Sequence, residues 1–534
     1  MKVKKLKLLS LICLFLLTLA SCIFHDKDHK ENASEEVNSY YIKFLSVKVD
    51  PITISRNSES QAIVFSWNLR NFCPYKKYEL KVYLSRDDVL DDGDKLLLDT
   101  IEETQEGNYT VLPGTSLYND IISSYGGRYN VIFRAVCLDT NDTTTSTSYL
   151  ILKTKWTFMV YMDGDNSLNS YVNDDALEME QVGSSSDVNV IIQADRLYAP
   201  AYRYFVKPGS VEELQSLGEP DMGDPNTLES FLNWAIENFP ADHYFLVLWN
   251  HGGGFKRLTG VLGKRTSSRI ELLSGDIAID ETSSNDALTI PELREALEDI
   301  TRKLGQKIDI IGMDACLMAM IEVAYDIKDT ASYLIASENT EPGPGWPYDK
   351  VLEVLVSNPD IDPKDLAIQV VKKYIQSYPS SYWEATQSAI DLSKVGNLTQ
   401  SLNSLTQNLL NAINQGNTTL KNAFQTTIYN SVQRFDDLGS YGITLEDSYV
   451  DLYDLLRLVK KNFPSLSQDV LNVEKVYNST ILASNNTGPP VANATGLSIW
   501  FPNSTVYSQY INKYKQLLFA NNTVWDEFLG AIWN

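Results

Sequence analysis

Between residues 44 and 153 the apolar runs are short and partly alternating. Ala62–Trp67, Tyr78–Leu84 and Tyr129–Cys137 carry β-branched and aromatic residues, and polar turns separate them. That pattern predicts strands with one buried face, and its spacing over about 100 residues predicts a β-sandwich. From Trp156 the pattern changes. Thr157–Met162 is a continuous apolar run, followed by Asp163-Gly164-Asp165-Asn166 as a turn and by helical periodicity over Leu168–Val182. Val188–Ala194, Tyr244–Trp249, Ile308–Met313 and Tyr333–Ser337 repeat the apolar run, with helical stretches at Leu228–Asn238 and Leu293–Leu304. Uninterrupted apolar runs predict strands buried on both faces. Their alternation with helices predicts a largely parallel α/β sheet covered by helices on each side. Residues 350–480 read as helix-rich, with stretches at Leu366–Gln376 and Leu402–Ile413, and Leu497–Pro502 reads as one further strand of the same sheet.

The N-terminus has a different pattern. Lys2, Lys4, Lys5 and Lys7 precede the apolar Leu8–Leu19, which is too short to span a bilayer comfortably. Leu19-Ala20-Ser21-Cys22 then resembles a bacterial lipobox, with small residues before the cut and a thiol to carry the lipid. The expected organisation is a signal peptide over 1–21, a polar tether over 22–43 starting at a lipidated Cys22, a β-sandwich of immunoglobulin or fibronectin-III type over 44–153, and an α/β domain over 154–534. On this reading the protein is exported and anchored to a membrane through Cys22.

Composition narrows the partners. The 534 residues are 43% hydrophobic and 21% charged, which excludes a disordered or coiled-coil chain as a whole. The 69 acidic residues outnumber 45 basic ones, for a net charge of −24. A phosphate-backbone binder needs a basic face, so nucleic acid is excluded as the expected partner and a basic peptide fits better. Of the five cysteines, Cys13 lies in the signal segment and Cys22 at its end. Cys73 and Cys137 fall in one domain and are able to pair in an oxidising compartment, which leaves Cys316 over.

Two of the apolar strands end in reactive residues: Asn250-His251-Gly252-Gly253-Gly254 and Met313-Asp314-Ala315-Cys316. In a parallel sheet both ends emerge at one edge, and neighbouring strands lie about 4.8 Å apart. An imidazole beside a thiol raises the thiolate population and protonates a leaving amine. The glycines after His251 let a backbone approach a substrate closely, and the backbone N–H groups of Gly252 and Cys316 suit an oxyanion. Zinc-ligand spacing, a Gly-X-Ser-X-Gly elbow and a Walker loop are all missing from the sequence.

These two strand ends, together with Tyr161–Asn166, Leu288–Leu293, Asp314–Met318 and Ala336-Ser337-Glu338 in this order, resemble the clostripain family of cysteine peptidases, relatives of caspases, legumain and gingipains. The resemblance runs from about Trp156 to Asn534. It implies a caspase-like α/β/α fold and peptide-bond hydrolysis, with His251 as the dyad histidine, Cys316 as nucleophile and Asp314 near the base of a pocket for Arg or Lys. Pro344 stands where arginine-selective members carry a further acid, which leaves lysine open as well. The family also implies a zymogen that cuts itself between histidine and cysteine; the basic loop Lys256–Arg269 offers Lys264 or Arg265 for the cut. No cofactor is implied for the chemistry. Calcium dependence is implied for some members, and Asp163 and Asp165, with Asp174 and Asp175, are the oxygen donors to consider. Two alternatives belong to other classes: a non-catalytic surface binding lipoprotein that keeps the peptidase fold, and a polysaccharide-binding lipoprotein.

Overall fold

The computed structural model describes residues 42–55, 61–71, 73–87, 89–261, 271–379, 383–435 and 448–533, with backbone alone over 257–261 and 271–275. The first segment forms β1 (Ile42–Asp50), β2 (Thr53–Ser55), β3 (Ile63–Asn71), β4 (Tyr78–Ser85), β5 (Lys95–Glu102), β6 (Glu106–Val111) and β7 (Gly127–Cys137), leading into the long β8 (Thr143–Gly164). Strands β1, β3 and β6 make one antiparallel sheet, while β5, β4, β7 and β8 pair in a second. Alternate residues of the two meet in a core containing Phe65, Trp67, Tyr78, Val82 and Phe133. The buried polar ends of two of these aromatics are satisfied, since Trp67 Nε1 donates to Tyr78 Oη at 3.0 Å and Tyr78 Oη donates to the Thr104 carbonyl at 2.7 Å. Cys73 and Cys137 are joined by a disulfide, with Cα atoms 5.7 Å apart. The segment is not purely β: Ser116–Ile122 forms a short helix capped by the Thr115 side chain.

Strand β8 is 22 residues long and belongs to both halves of the chain. Its first part pairs antiparallel with β7 from Thr143 to Leu152, and Trp156–Gly164 pairs parallel with its neighbours in the second half. At about 3.3 Å per residue it runs roughly 70 Å. A boundary near residue 153 therefore falls inside a strand, and no flexible linker separates the halves. The Arg86 guanidinium adds to the join: it lies 4.3 Å from the Phe205 ring and donates to the Gly126 carbonyl at 3.2 Å.

The second half is built on β9 (Val188–Arg196), β10 (Ala199–Lys207), β11 (Ser210–Gly218), β12 (Ala241–Trp249), a side sheet of β13 (Gly252–Val261), β14 (Glu271–Asp280) and β15 (Asp286–Leu288), then β16 (Ile308–Asp314), β17 (Ala331–Ala336), β18 (Thr386–Asp391), β19 (Arg434–Phe435), β20 (Tyr449–Asp451), β21 (Ile481–Asn486) and β22 (Ser498–Trp500). The main sheet has the order β11-β10-β9-β8-β12-β16-β17-β18-β21. Its five central strands, β9 to β17, are parallel and are those the apolar runs predict. The flanks are antiparallel. One expectation is corrected: β22 does not join this sheet but pairs with β20, because β18 already occupies the edge of β17.

Side chains alternate between two cores, one on each face. Met159, Tyr161, Leu246, Leu248, Ile311 and Met313 pack with the helices Pro225–Asn238, Ile290–Leu304 and Leu392–Asn414. Phe158, Val160, Phe245, Val247 and Ile310 pack with Asn169–Val182, Tyr348–Ser357 and Pro363–Ser377. Sequence cues set the helix ends. The Ile290–Leu304 helix begins with a reciprocal Thr289/Glu292 capping box and stops at Gly305, whose φ of +73° suits glycine.

Candidate active site

Two adjacent parallel strands bring the reactive segments together. The β12–β16 register places Trp249 opposite Asp314, and the Asn250 N–H donates to the Asp314 carbonyl at 3.3 Å. His251 and Cys316 each lie two residues beyond that pair. Gly252 is where the segments touch: a Cβ there would lie 2.4 Å from the Cys316 carbonyl oxygen and 3.0 Å from the Ala315 Cβ, so only glycine fits. Gly254, at φ +66°, lies equally close to Met320 and Tyr449, and Tyr449 Oη donates to the Gly253 carbonyl at 2.6 Å. The turn after the cysteine is tight as well. Leu317 has a φ of +65°, unusual for a bulky residue, and its N–H donates to the Asn339 carbonyl at 3.1 Å. Ahead of that turn, Cys316 is half-buried at the margin of the core and outside any disulfide.

His251 is held by the turn after β8. Its Nε2 lies 2.8 Å from Ser167 Oγ. The preceding Asn250 donates to the Asp163 carbonyl at 2.8 Å and to Asp163 Oδ2 at 2.6 Å. Burial lowers the His251 imidazole to about 4, so it is neutral near pH 7. On the thiol side the Glu341 N–H donates to Cys316 Sγ at 3.2 Å, a contact that favours the thiolate.

Asp314 lies beneath the thiol. Its Oδ2 accepts from the Trp346 N–H at 3.1 Å and from Tyr348 Oη at 2.8 Å, and Gly345, at φ +62°, passes so close that a Cβ would lie 2.9 Å away. Glu341 stands beside it, with Oε1 accepting from Gln387 Nε2 at 3.3 Å and Oε2 buried without a donor. Burial and the Asp314 charge push the Glu341 carboxyl well above its usual range, and burial raises Asp314 too. Asp175, which accepts from Trp249 Nε1 at 2.6 Å, is raised to about 9 by burial and by Asp314. Glu178 is raised by burial and accepts from the Tyr348 N–H at 2.9 Å. Burial is the largest cause of the upward shift in all four carboxyls.

Other expected site residues separate. Asp163 is occupied by Asn250, and Asp174 is exposed. Asp165 instead converges with Asp195 and Asp280. Lys256 does not lie in an exposed loop: it is in β13, buried, with Nζ donating to Ser448 Oγ at 2.6 Å and lying 4.3 Å from the Tyr449 ring centroid. The strands β13 and β14 extend through Val261 and from Glu271. Lys264, Arg265 and Cys22 lie outside the described residues. Among the described residues no helix is long and apolar enough to cross a membrane. The sequence reading missed Ser167 and Glu341, since neither carries a motif. Glu341 stands three positions before Pro344, where spacing alone directs the search.

The clostripain family model matches residues 160–533. Clostripain from Hathewaya histolytica is 27% identical over 422 residues, covering 68% of this chain and 77% of its own length. Among solved structures, a secreted C11 cysteine protease from Bacteroides thetaiotaomicron in complex with an irreversible peptide inhibitor matches at a TM-score of 0.51 and 22% identity, over 71% of this chain and 99% of that one. An inactive zymogen C11 protease from Parabacteroides distasonis matches at 0.51 and 18%, over 72% and 99%.

Proposed function

This chain belongs to the clostripain family and is a cysteine peptidase, and on that premise we propose that His251 and Cys316 are its catalytic dyad and that it cuts after arginine or lysine. The observation that carries this reading is the β12–β16 register, with Gly252 seated against the Cys316 backbone. It supports a thiol and an imidazole on one rim of the sheet above a buried acid pair.

The chemistry follows from the contacts. Nε2 of His251 is engaged by Ser167, so Nδ1 is the ring nitrogen that takes the thiol proton. The tautomer this requires has Nε2–H donating to Ser167 Oγ, a bond the hydroxyl oxygen accepts. The Cys316 thiolate attacks the scissile carbonyl, and the backbone N–H groups of Gly252 and Cys316 receive the oxyanion. Collapse of the intermediate expels the amine, which takes the proton from Nδ1, and water then hydrolyses the thioester with His251 as base. Asp314, oriented by Trp346 and Tyr348, pairs with the cationic P1 side chain, and Glu341 supplies the second carboxylate.

The same reading has the enzyme cut itself after Lys264 or Arg265, in the 256–269 segment between histidine and cysteine, and makes Cys22 a lipid anchor for an exported protein. The test compares the wild-type chain with Cys316→Ala on matched Arg-, Lys- and Ala-ending fluorogenic peptides, with a gel alongside. Wild type alone should hydrolyse the basic peptides and yield a fragment pair, and Cys316 should alkylate in the folded protein. Hydrolysis surviving Cys316→Ala would overturn the dyad.

A further inference from the structure

Two further buried acids, Glu338 and Asp451, lie outside the residues assigned to the chemistry. They are unequally supplied with donors. Asp451 Oδ2 accepts from the Thr495 N–H at 2.6 Å and from Thr495 Oγ1 at 2.7 Å, and its Oδ1 accepts from the Asp454 N–H at 2.6 Å, capping the Leu452–Asn462 helix. Glu338 Oε2 accepts from the Gly496 N–H at 2.7 Å, while Oε1 is buried with no donor. The two carboxyls stand within hydrogen-bond reach of each other, and among the described residues neither forms an ion pair. Two carboxyl groups in contact away from water keep one proton between them, because both cannot ionise. Asp451 has more donors and is the better anion, so the proton stays on Glu338, which donates to Asp451. Burial first, and then Asp451, pushes the Glu338 carboxyl well above its usual range. The other titratable group facing the pair is Tyr477. Its Oη donates to Thr495 Oγ1 at 2.7 Å, and burial and both acids keep it neutral.

The pair joins the two sides of the active site. Glu338 lies in the loop after β17, three residues before Glu341, whose N–H donates to Cys316 Sγ at 3.2 Å. Between them, the Asn339 carbonyl accepts from the Leu317 N–H at 3.1 Å. Asp451 ends β20, two residues after Tyr449, whose Oη donates at 2.6 Å to the carbonyl of Gly253, in the glycine run that follows His251. We propose that Glu338 is a positioning residue of the peptidase site: its carboxylic acid, hydrogen-bonded to Asp451, holds the loop over Cys316 to the strand that steadies the glycines after His251, and loss of that proton at high pH releases the hold. This rests on the reading of His251 and Cys316 as the dyad. The direction follows from the pair. As pH rises through the raised Glu338 value its proton is lost, and two buried anions then face each other. Repulsion drives the loop and β20 apart, so kcat should fall on the alkaline side.

The test measures kcat against pH for the full chain, Glu338→Gln and Glu338→Ala on an Arg-ending peptide, whose guanidinium keeps its charge throughout. In Glu338→Gln the amide oxygen accepts from Gly496 and the amide N–H donates to Asp451, but nothing there ionises. The alkaline fall of the parent should therefore vanish in Glu338→Gln. Near neutral pH, Glu338→Ala should lose about 100-fold in kcat through misplaced groups, and Glu338→Gln should recover about 10-fold or more of that loss. Chemical denaturation supplies a readout free of turnover: with Cys316→Ala in both chains, the advantage conferred by Glu338→Gln should grow as pH rises. A denaturation difference that is flat in pH would overturn the shared proton. A parent that cuts the peptide with no alkaline fall at any pH where circular dichroism stays native, or with a fall that Glu338→Gln leaves in place, would overturn the positioning role while leaving the dyad intact. A parent that cuts nothing at any pH would strike the dyad reading instead, and the positioning role with it.

Discussion

Glu341→Gln isolates the acid that spacing did not identify. In the free enzyme Asp314 and Glu341 are in contact, and Glu341 holds its proton well above the usual carboxylate range. A P1 guanidinium entering the pocket favours the ionised form, so its binding expels that proton. A carboxylate about 4 Å from a cation contributes about 4 kcal/mol at an effective dielectric near 20. Part of that is spent on ionising Glu341, which leaves a net loss on substitution nearer the 1.5–3 kcal/mol typical of a hydrogen bond to a charged group. The predicted drop in kcat/KM for Arg substrates is therefore about 10- to 100-fold, mostly in KM, with little change for an Ala-ending peptide. Asp314→Asn should cost more, because Trp346 N–H and Tyr348 Oη orient Asp314 toward its charged form.

The pH profile provides an independent sign. Below the raised Glu341 value the free pocket carries the extra proton, and substrate has to displace it. The apparent affinity for basic P1 should rise with pH through that range and level off above it. The pair, not either acid alone, sets the midpoint. In Glu341→Gln this limb should vanish while the limb from the dyad persists. Unchanged kcat/KM on Arg peptides together with an unchanged profile would refute the assignment of Glu341 to the pocket.

Three further outcomes are expected. Ser167→Ala removes the hydroxyl on His251 Nε2 and should lower kcat by about 10-fold with KM unchanged, as read from steady-state kinetics; an unchanged kcat would remove Ser167 from the mechanism. Gly252→Ala would place a Cβ 2.4 Å from the Cys316 carbonyl oxygen, so alkylation of Cys316 and peptide turnover should both collapse while circular dichroism stays native. Asp175→Asn tests the buried acid raised to about 9. A raised carboxyl keeps its proton when folded and loses it when unfolded, so it weakens the fold progressively from about pH 4 to about 9, by at most about 1.4 kcal/mol per pH unit. The variant's advantage in chemical denaturation should therefore grow over that window and level off above it; a flat difference would show that Asp175 is not buried as described.

The central sheet was legible because its strands are apolar at most positions on both faces, and that property follows from burial on both faces rather than from any one contact. Tyr244–Trp249 and Ile308–Met313 read as strands of one parallel sheet; that they are adjacent, with Trp249 opposite Asp314, is given by the fold. The edges were not legible. No strand is predicted over β10 and β11: the edge strand β11 carries polar residues such as Glu212 and Glu213, because an edge strand has one wet side. Ser498–Trp500 has the apolar content of a sheet strand, but strand content does not say which edge is vacant, and β18 had filled the one next to β17. Site chemistry divides along the same line. Residues at strand ends are placed by register, which periodicity reveals. Glu341 sits on the loop after β17, where its position depends on how that loop folds back over Cys316 through the Glu341 N–H and over Asp314 through Trp346. Glu341 therefore stands beside Asp314 although residue 344 is a proline. Loop acids are recognised by what they face, and only the folded chain supplies that.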